Sequence, residues 1–149
     1  MSRRVMPALV LLALALSACR STPKERAMET RLPIEYLEVV SPEVESTCAA
    51  LARLHGVTFS AAAPELGGAR TAPLAGGGVI GVRPPLRPDE APVVRPYVLV
   101  KDIAAAVKEA EAAGGTIALP PMEIPGRGQC AIYFLGGIEH ALWQKPAKP

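Results

Sequence analysis

The strongest indication of the fold is a secondary-structure pattern that occurs twice along the chain. In the second half, a short apolar strand that begins at Arg95 leads through Asp102 into an Ala- and Glu-rich helix over Ile103–Ala113. Gly114 and Gly115 close this helix, because glycine readily adopts the left-handed conformation found at helix ends. Three strand-like segments follow the helix, namely Thr116–Leu119, Gln129–Leu135 and His140–Gln144.

The first half shows the same order of elements. Ile34–Val40 is rich in β-branched and aromatic residues and is predicted to be a strand. A helix is predicted to follow, with Ser41 as its N-cap and Pro42 at its first position, and Gly56 ends it. The strand-like segments after this helix are Val57–Ala61, Ala69–Leu74 and Gly78–Val82.

The two helices also align in sequence. The shift that moves Val44 onto Ile103 superimposes their apolar faces and the glycines that close them. Two unrelated amphipathic helices can match in this way by chance, but the strand-like segments after each helix favour an internal duplication of about 60 residues. The superimposed pairs are Glu43 with Asp102, Val44 with Ile103, Cys48 with Val107, Leu51 with Ala110, Leu54 with Ala113 and Gly56 with Gly115.

We therefore predict one α+β domain over residues 32–145, built from two βαβββ modules. Module one covers residues 32–82 and module two covers residues 93–145. The segment between them, residues 83–92, contains four prolines, and proline is confined to the edges and bulges of a sheet. We predict that this segment is a linker.

Residues 1–18 have the features of an export signal. Arg3 and Arg4 supply a basic start, and Pro7–Leu16 is an apolar stretch too short to span a bilayer. The apolar stretch ends in Leu-Ser-Ala-Cys at residues 16–19, which resembles the lipobox of a bacterial lipoprotein. The resemblance implies cleavage before Cys19 and lipidation of its thiol. An ordinary signal peptide followed by an incidental cysteine is the alternative.

A lipidated Cys19 would hold the mature protein on a membrane, because two acyl chains are enough for stable anchoring. Arg20 stands where an aspartate would resemble the signal for retention in the inner membrane. We therefore expect a bacterial cell-envelope protein, anchored at the outer membrane and facing the periplasm. Residues 19–31 are polar and lack apolar periodicity, so they are predicted to be a flexible tether.

The charge balance excludes nucleic acid as an expected partner. The chain has 16 basic and 14 acidic residues, and Arg3 and Arg4 leave with the signal, so 14 of each remain. No basic stripe is left to follow a phosphate backbone.

Two cysteines lie in the body of the chain. Cys48 falls in a predicted helix and Cys130 in a predicted strand, both within apolar patterns. In an exported protein they can form a disulfide, or they can remain two small buried thiols.

Six short motifs, spread over residues 32–145, point to a known family. They are Ser41–Glu45, Leu54–Phe59, Tyr97–Asp102, Gly114-Gly115, Pro120–Gly126 and Ala141–Gln144. The most specific is Pro120–Gly126, a Pro-Pro-Met-x-Ile-Pro-Gly run. Together they resemble the vicinal oxygen chelate superfamily, which includes glyoxalase I, extradiol dioxygenases and the fosfomycin and bleomycin resistance proteins. The resemblance implies a curved antiparallel sheet, a glyoxalase-like cup with the helices outside and a pocket within.

Catalytic members of this superfamily hold a divalent metal in the cup with His, Gln or Glu side chains. The resemblance carries the two first-strand ligand positions onto Tyr36 and Arg95, and the last-strand position onto Ala141. None of these is a good ligand, and an arginine repels a cation, so we predict no catalytic metal and no cofactor. A change of strand register would leave Glu38 and Glu139 as fallback donors, and a divalent metal is then the alternative.

Without the metal, the sequence favours a small-molecule-binding module over an enzyme. Alternation along the strands places five side chains near the floor of the cup, and these combine aromatic surface with opposite charges. They are Tyr36, Glu38, Arg95, Tyr97 and Trp143. For Tyr97 and Trp143, ordinary core packing is the alternative.

Two other functions stay open. The first is a metal-dependent lyase, isomerase or dioxygenase with displaced ligands. The second is a structural envelope protein that assembles through its sheet. Because members of the superfamily often pair, a second copy of the chain is a plausible partner.

Overall fold

The computed structural model describes residues 32–147, in which seven strands and two α-helices form an α+β fold. The predicted signal peptide (residues 1–18), Cys19 and the predicted tether (residues 19–31) lie outside the described residues. Between residues 32 and 147, neither helix is long and apolar enough to cross a bilayer.

The elements follow the predicted order, except that the first half lacks one of its predicted strands. They are β1 (Ile34–Val40), α1 (Val44–His55), β2 (Arg70–Pro73), β3 (Val79–Arg83), β4 (Val93–Leu99), α2 (Ile103–Ala112), β5 (Thr116–Ile124), β6 (Gly128–Leu135) and β7 (Ile138–Gln144). The shift that moves the start of α1 onto the start of α2 also moves the start of β1 onto the start of β4. The offset between the two halves of the sequence therefore recurs in the positions of their first strands and helices.

The seven strands form one sheet in the order β2-β3-β1-β4-β7-β6-β5. The two halves meet where β1 pairs antiparallel with β4. Within each half the last strand returns beside the first in the same direction, so that β1 pairs with β3 and β4 with β7 in parallel. Such a parallel return needs a crossover, which α1 and α2 supply. The predicted α+β fold is confirmed, with a mixed sheet in place of a wholly antiparallel one.

The first half has one strand fewer than predicted, because Val57–Ala61 is not a strand. The N–H of Ser60 donates to the carbonyl of Thr71 at 2.8 Å, but the N–H of Thr71 donates to the side-chain oxygen of Ser60 at 3.0 Å. A serine hydroxyl thus takes the bond that a strand would direct to a backbone carbonyl. A 3₁₀ turn over Pro64–Leu66 follows.

The start of α1 also differs from the prediction. The helix begins at Val44 with Glu43 as its N-cap, so Ser41 and Pro42 precede it. The Ser41 hydroxyl accepts the N–H of Glu43 at 3.1 Å and orders the approach to the helix. In α2 the cap is conventional, because the Asp102 carboxylate accepts the N–H of Ala105 at 3.0 Å.

Both helices cover one face of the sheet. The α1 helix buries Cys48 against Phe59 and β3, and α2 buries Ile103 against β6 and β7. Leu54, predicted to lie on the apolar face of α1, is 71% exposed, and Ala52 packs against the sheet instead. Cys48 therefore lies on the helix side, whereas Cys130 lies in a separate cluster on the opposite face, and both are free thiols.

Candidate functional site

The face of the sheet that the helices leave open borders a cavity of about 520 Å³. All five side chains predicted to lie at the floor of the cup line this cavity: Tyr36, Glu38, Arg95, Tyr97 and Trp143. Alternation explains the placement, because Tyr36 and Glu38 lie two residues apart on β1, as Arg95 and Tyr97 do on β4. We call this cavity and its lining the cup.

Three aromatic rings pack together at the base of the cup. The ring centroids of Tyr36, Tyr97 and Trp143 lie 5.4–5.7 Å apart in tilted and edge-on arrangements, which are the favourable geometries for aromatic pairs. The indole N–H of Trp143 donates to the carbonyl of Arg127 at 3.1 Å. All three residues are buried, so these rings belong to the core and to the cavity wall at once.

Five charged side chains form a continuous ion-pair network along the cup. Its members, in order of contact, are Glu90, Arg83, Glu38, Arg95 and Glu139. Arg83 contacts both oxygens of Glu90, with Nη2 2.7 Å from Oε1 and Nη1 2.9 Å from Oε2. Arg95 donates from Nε to Oε2 of Glu139 at 2.8 Å.

Glu38 is the centre of the network. Its Oε1 accepts from Arg83 Nε at 2.6 Å, and its Oε2 accepts from Arg95, which lies directly opposite on β4. The hydroxyl of Tyr97 donates to the same Oε2 at 3.2 Å. Because Glu38, Arg83 and Arg95 are each 5% exposed, the carboxylate and the two guanidinium groups compensate one another away from water.

Four titratable groups in the cup, Tyr36, Tyr97, Cys130 and Glu90, are held in their ordinary protonation states. Burial, together with the charge of Glu38, raises the pKa of Tyr36 and of Tyr97 above the usual value for tyrosine. Burial also raises the pKa of the Cys130 thiol to about 11. Hydrogen bonds from Arg83 lower the pKa of Glu90 to about 2. The phenols and the thiol are therefore neutral at pH 7, and the cup presents neither a thiolate nor a phenolate nucleophile.

The residues of the cup do not fit a divalent metal. The predicted ligand positions hold Tyr36, Arg95 and Ala141, and the fallback donors Glu38 and Glu139 are both bonded to Arg95. A guanidinium thus joins the two carboxylates that a displaced metal would need. Within residues 32–147, no three His, Cys, Asp or Glu side chains converge in a way that could hold a metal ion.

Both histidines lie away from the cup. His55 is exposed at the end of α1. His140 stacks on Tyr133, with ring centroids 5.3 Å apart, on the strand face opposite to Glu139 and Ala141. This orientation of His140 follows from strand alternation.

The segment predicted to be a linker, residues 83–92, supplies two members of the network. Arg83 is the last residue of β3 rather than the first of a linker, and Glu90 anchors the segment by accepting the N–H of Leu86 at 2.7 Å. The pairing of the strands shows which residue of the second half corresponds to Arg83. Gly81 pairs with Glu38 as Ala141 pairs with Tyr97, so Gly81 corresponds to Ala141, and the same correspondence superimposes Arg83 on Trp143.

One buried polar group in the cup lacks a partner among the described residues. The hydroxyl of Tyr36 makes no hydrogen bond to them, although Tyr36 is only 3% exposed. Gly81 makes room for it, because a Cβ at position 81 would lie 2.2 Å from that oxygen. Since buried polar groups are normally paired, the hydroxyl of Tyr36 is an exception among the described residues.

Removing each of the two tyrosine hydroxyls is expected to have opposite effects on stability. Tyr36→Phe removes an unpaired buried hydroxyl and should raise the free energy of unfolding by about 1 kcal/mol. The matched control, Tyr97→Phe, removes a donor to Glu38 and should lower it by about 1–2 kcal/mol. Urea denaturation of the two variants measures both changes. A loss of stability in Tyr36→Phe would show that its hydroxyl is already satisfied.

No protein-family model matches the sequence, and no curated protein sequence matches it significantly. Solved structures do match. Hypothetical protein BH1468 from Bacillus halodurans C-125 has a TM-score of 0.62 and 13% identity, with 78% of this chain and 96% of that one covered. Methylmalonyl-CoA epimerase from Mycobacterium tuberculosis has a TM-score of 0.59 and 13% identity, with 76% and 88% covered.

The chain shares the fold of these structures, and this fold matches the glyoxalase-like one that the sequence resemblance implies. A further structure with this fold is the Streptomyces coelicolor methylmalonyl-CoA epimerase in complex with 2-nitronate-propionyl-CoA. It has a TM-score of 0.56 and 16% identity, with 78% of this chain and all of that one covered. The vicinal oxygen chelate fold thus spans nearly the whole described part of the chain. At these identities the similarity concerns the fold, and the chemistry has to be argued from the cup.

Proposed function

We propose that this chain is a lipid-anchored protein of the bacterial envelope whose vicinal oxygen chelate domain binds a small organic molecule without a catalytic metal. The observation that carries the proposal is the position of Arg95. Its guanidinium joins Glu38 on β1 to Glu139 on β7, across the strands where the resemblance places metal ligands. A fixed organic cation thus compensates the carboxylates in the place of a metal ion.

The rest of the cup suits a ligand of small-molecule size. A volume of about 520 Å³ falls within the range of small-molecule sites. Three aromatic rings form its base, and Leu86, Met122 and Phe134 line it with exposed apolar side chains. The ion-pair network supplies the few polar groups that such sites use for orientation.

Elemental analysis tests the absence of a metal. The full chain, purified in detergent without chelator or affinity metal, is expected to contain Zn, Fe, Mn and Ni far below one equivalent. Added divalent ions are expected to leave its melting temperature unchanged, because binding to the folded state alone would raise it. Close to one equivalent of any of these metals would instead support a metal-dependent enzyme with displaced ligands.

Metabolic labelling tests the membrane anchor separately. In cells supplied with an alkyne analogue of palmitate, the wild-type chain is expected to take up label, and Cys19→Ala is expected to lose it and to accumulate as uncleaved precursor. Cys48→Ala is the matched control, because it also removes one cysteine but keeps the lipobox. Unchanged labelling of Cys19→Ala would refute the anchor without affecting the proposal for the cup.

A further inference from the structure

We infer that the ligand of the cup is an organic monocation, an amine or quaternary ammonium group carried on an apolar body. This inference rests on the proposed binding function and adds the chemical class of the ligand. Three features of the cup support it: the net charge of its ion-pair network, a free carboxylate oxygen, and the aromatic surface with an unpaired hydroxyl.

The ion-pair network carries an unbalanced negative charge. It contains three carboxylates, Glu38, Glu90 and Glu139, and two guanidinium groups, Arg83 and Arg95, which leaves one negative charge. The other charged residues lining the cup are compensated by pairing. Glu65 pairs with Arg127 at 2.9 Å, and Arg87 lies 3.6 Å from Asp89. A bound monocation would therefore neutralise the cup.

The surplus charge is accessible at Glu139. Both bonds from Arg95 to this carboxylate end on Oε2, and Oε1 accepts no hydrogen bond from the described residues. The Glu139 side chain is 31% exposed, more than that of any other member of the network. Its free oxygen can accept a hydrogen bond from an ammonium group while Arg95 stays in place.

The aromatic base of the cup suits the same ligand. Tyrosine and tryptophan rings attract cations through their electron-rich faces, with the largest effect where water is excluded. Tyr36 is a side chain of this wall, and its buried hydroxyl, which can both donate and accept, has no hydrogen-bond partner among the described residues. This missing partner is an observation independent of the charge count, and a ligand with a donor group could supply it.

An organic cation does not need the several free donor atoms that a divalent metal ion needs. A divalent metal ion needs several donor atoms at about 2 Å, all with free lone pairs. Glu38 has little to give, because three of its four lone-pair sites already accept from Arg83, Arg95 and Tyr97. An ammonium group needs only one accepting oxygen and aromatic surface at van der Waals distance. Glu139 and the aromatic rings offer this without disturbing the network.

Calorimetric titration of the full chain in a non-ionic detergent tests the preference directly. The probes share one aromatic body and differ in charge: 2-phenylethylamine, 2-phenylethanol and 3-phenylpropionate, with matched detergent blanks. The amine is expected to bind about tenfold more tightly than the alcohol, and the carboxylate most weakly. This ranking is measured on the wild-type protein, so it does not depend on how any variant folds.

Two substitutions and one control variant test which side chains of the cup cause the preference for the amine. Glu139→Gln should remove most of the advantage of the amine over the alcohol, whereas Glu123→Gln, an exposed carboxylate on β5 outside the cup, should keep it. Tyr36→Phe should weaken the amine while leaving the protein at least as stable. Melting temperatures recorded alongside establish that each variant is folded.

The possible outcomes separate the two proposals. Binding of the alcohol or the carboxylate at least as tightly as the amine overturns the cation preference and leaves small-molecule binding intact. An amine preference that survives Glu139→Gln overturns the role of Glu139. Failure of all three probes to bind counts against both the cation preference and the binding function.

Discussion

Glu38→Ala is expected to lower the free energy of unfolding by about 3–5 kcal/mol, the typical loss when one partner of a buried ion pair is removed. The alanine would leave Arg83 and Arg95 without their shared acceptor, and both guanidinium groups are buried. Tyr97 would lose its acceptor as well. The change of a single side chain thus uncouples the two halves of the ion-pair network.

Urea denaturation followed by circular dichroism measures this loss, with Glu45→Ala as the matched control. Glu45 also pairs with an arginine, Arg70, but its side chain is largely exposed. Removal of that surface pair should cost between about 0 and 1 kcal/mol. A loss below about 1 kcal/mol in Glu38→Ala would mean that water or a shifted side chain compensates both arginines.

Trp143→Ala is expected to have a comparable effect, a loss of about 3–5 kcal/mol. Trp143 is buried, packs against Tyr36 and Tyr97, and donates to the carbonyl of Arg127. Phe134→Ala is the control, because Phe134 also lines the cup but is 40% exposed. Phe134→Ala should lower the free energy of unfolding by about 1 kcal/mol. Equal losses in the two variants would show that Trp143 belongs to the rim rather than to the core.

This expectation decides how ligand binding should be probed. In Trp143→Ala, weaker binding of a ligand cannot be separated from general loss of structure. Trp143→Phe keeps an aromatic ring in the wall and removes the bond to Arg127. It is therefore the better variant for asking whether the indole contacts a ligand.

The repeat made most of the fold predictable. Because the two helices align at a fixed offset, the sequence identified both α-helices. Each strand of the sheet overlaps a segment predicted to be a strand, although β5 continues beyond Leu119 through Pro120 and Pro121 to Ile124. The placement of Tyr36, Glu38, Arg95 and Tyr97 in the cup was predictable for a similar reason, since strand alternation is strict and each pair lies on one strand.

Two of the sequence predictions were wrong for different reasons. In one, a side chain makes a hydrogen bond that the backbone would make in a strand, and in the other, contacts between distant residues override the local composition. Val57–Ala61 has the composition of a strand end, but the Ser60 hydroxyl takes a bond of the ladder. Residues 83–92 are rich in proline, yet they are held in the cup by Arg83 and Glu90. Composition cannot reveal an ion pair between residues seven positions apart in an irregular segment. Arg83 corresponds to the cup residue Trp143 only through the observed pairing of β3 with β1 and of β7 with β4, because the offset seen in the sequence would place it on Leu142.

The edges of the sheet have a consequence for how copies of the chain meet one another. At one edge, β5 contains Pro120 and Pro121, and its register with β6 is interrupted between Leu119 and Met122. At the other edge, β2 has four residues and ends in Pro73. Prolines, interrupted registers and short edge strands hinder the pairing of one sheet with the next. Neighbouring copies of the chain would thus be protected from edge-to-edge aggregation, at one edge by the same proline run that marks the family resemblance.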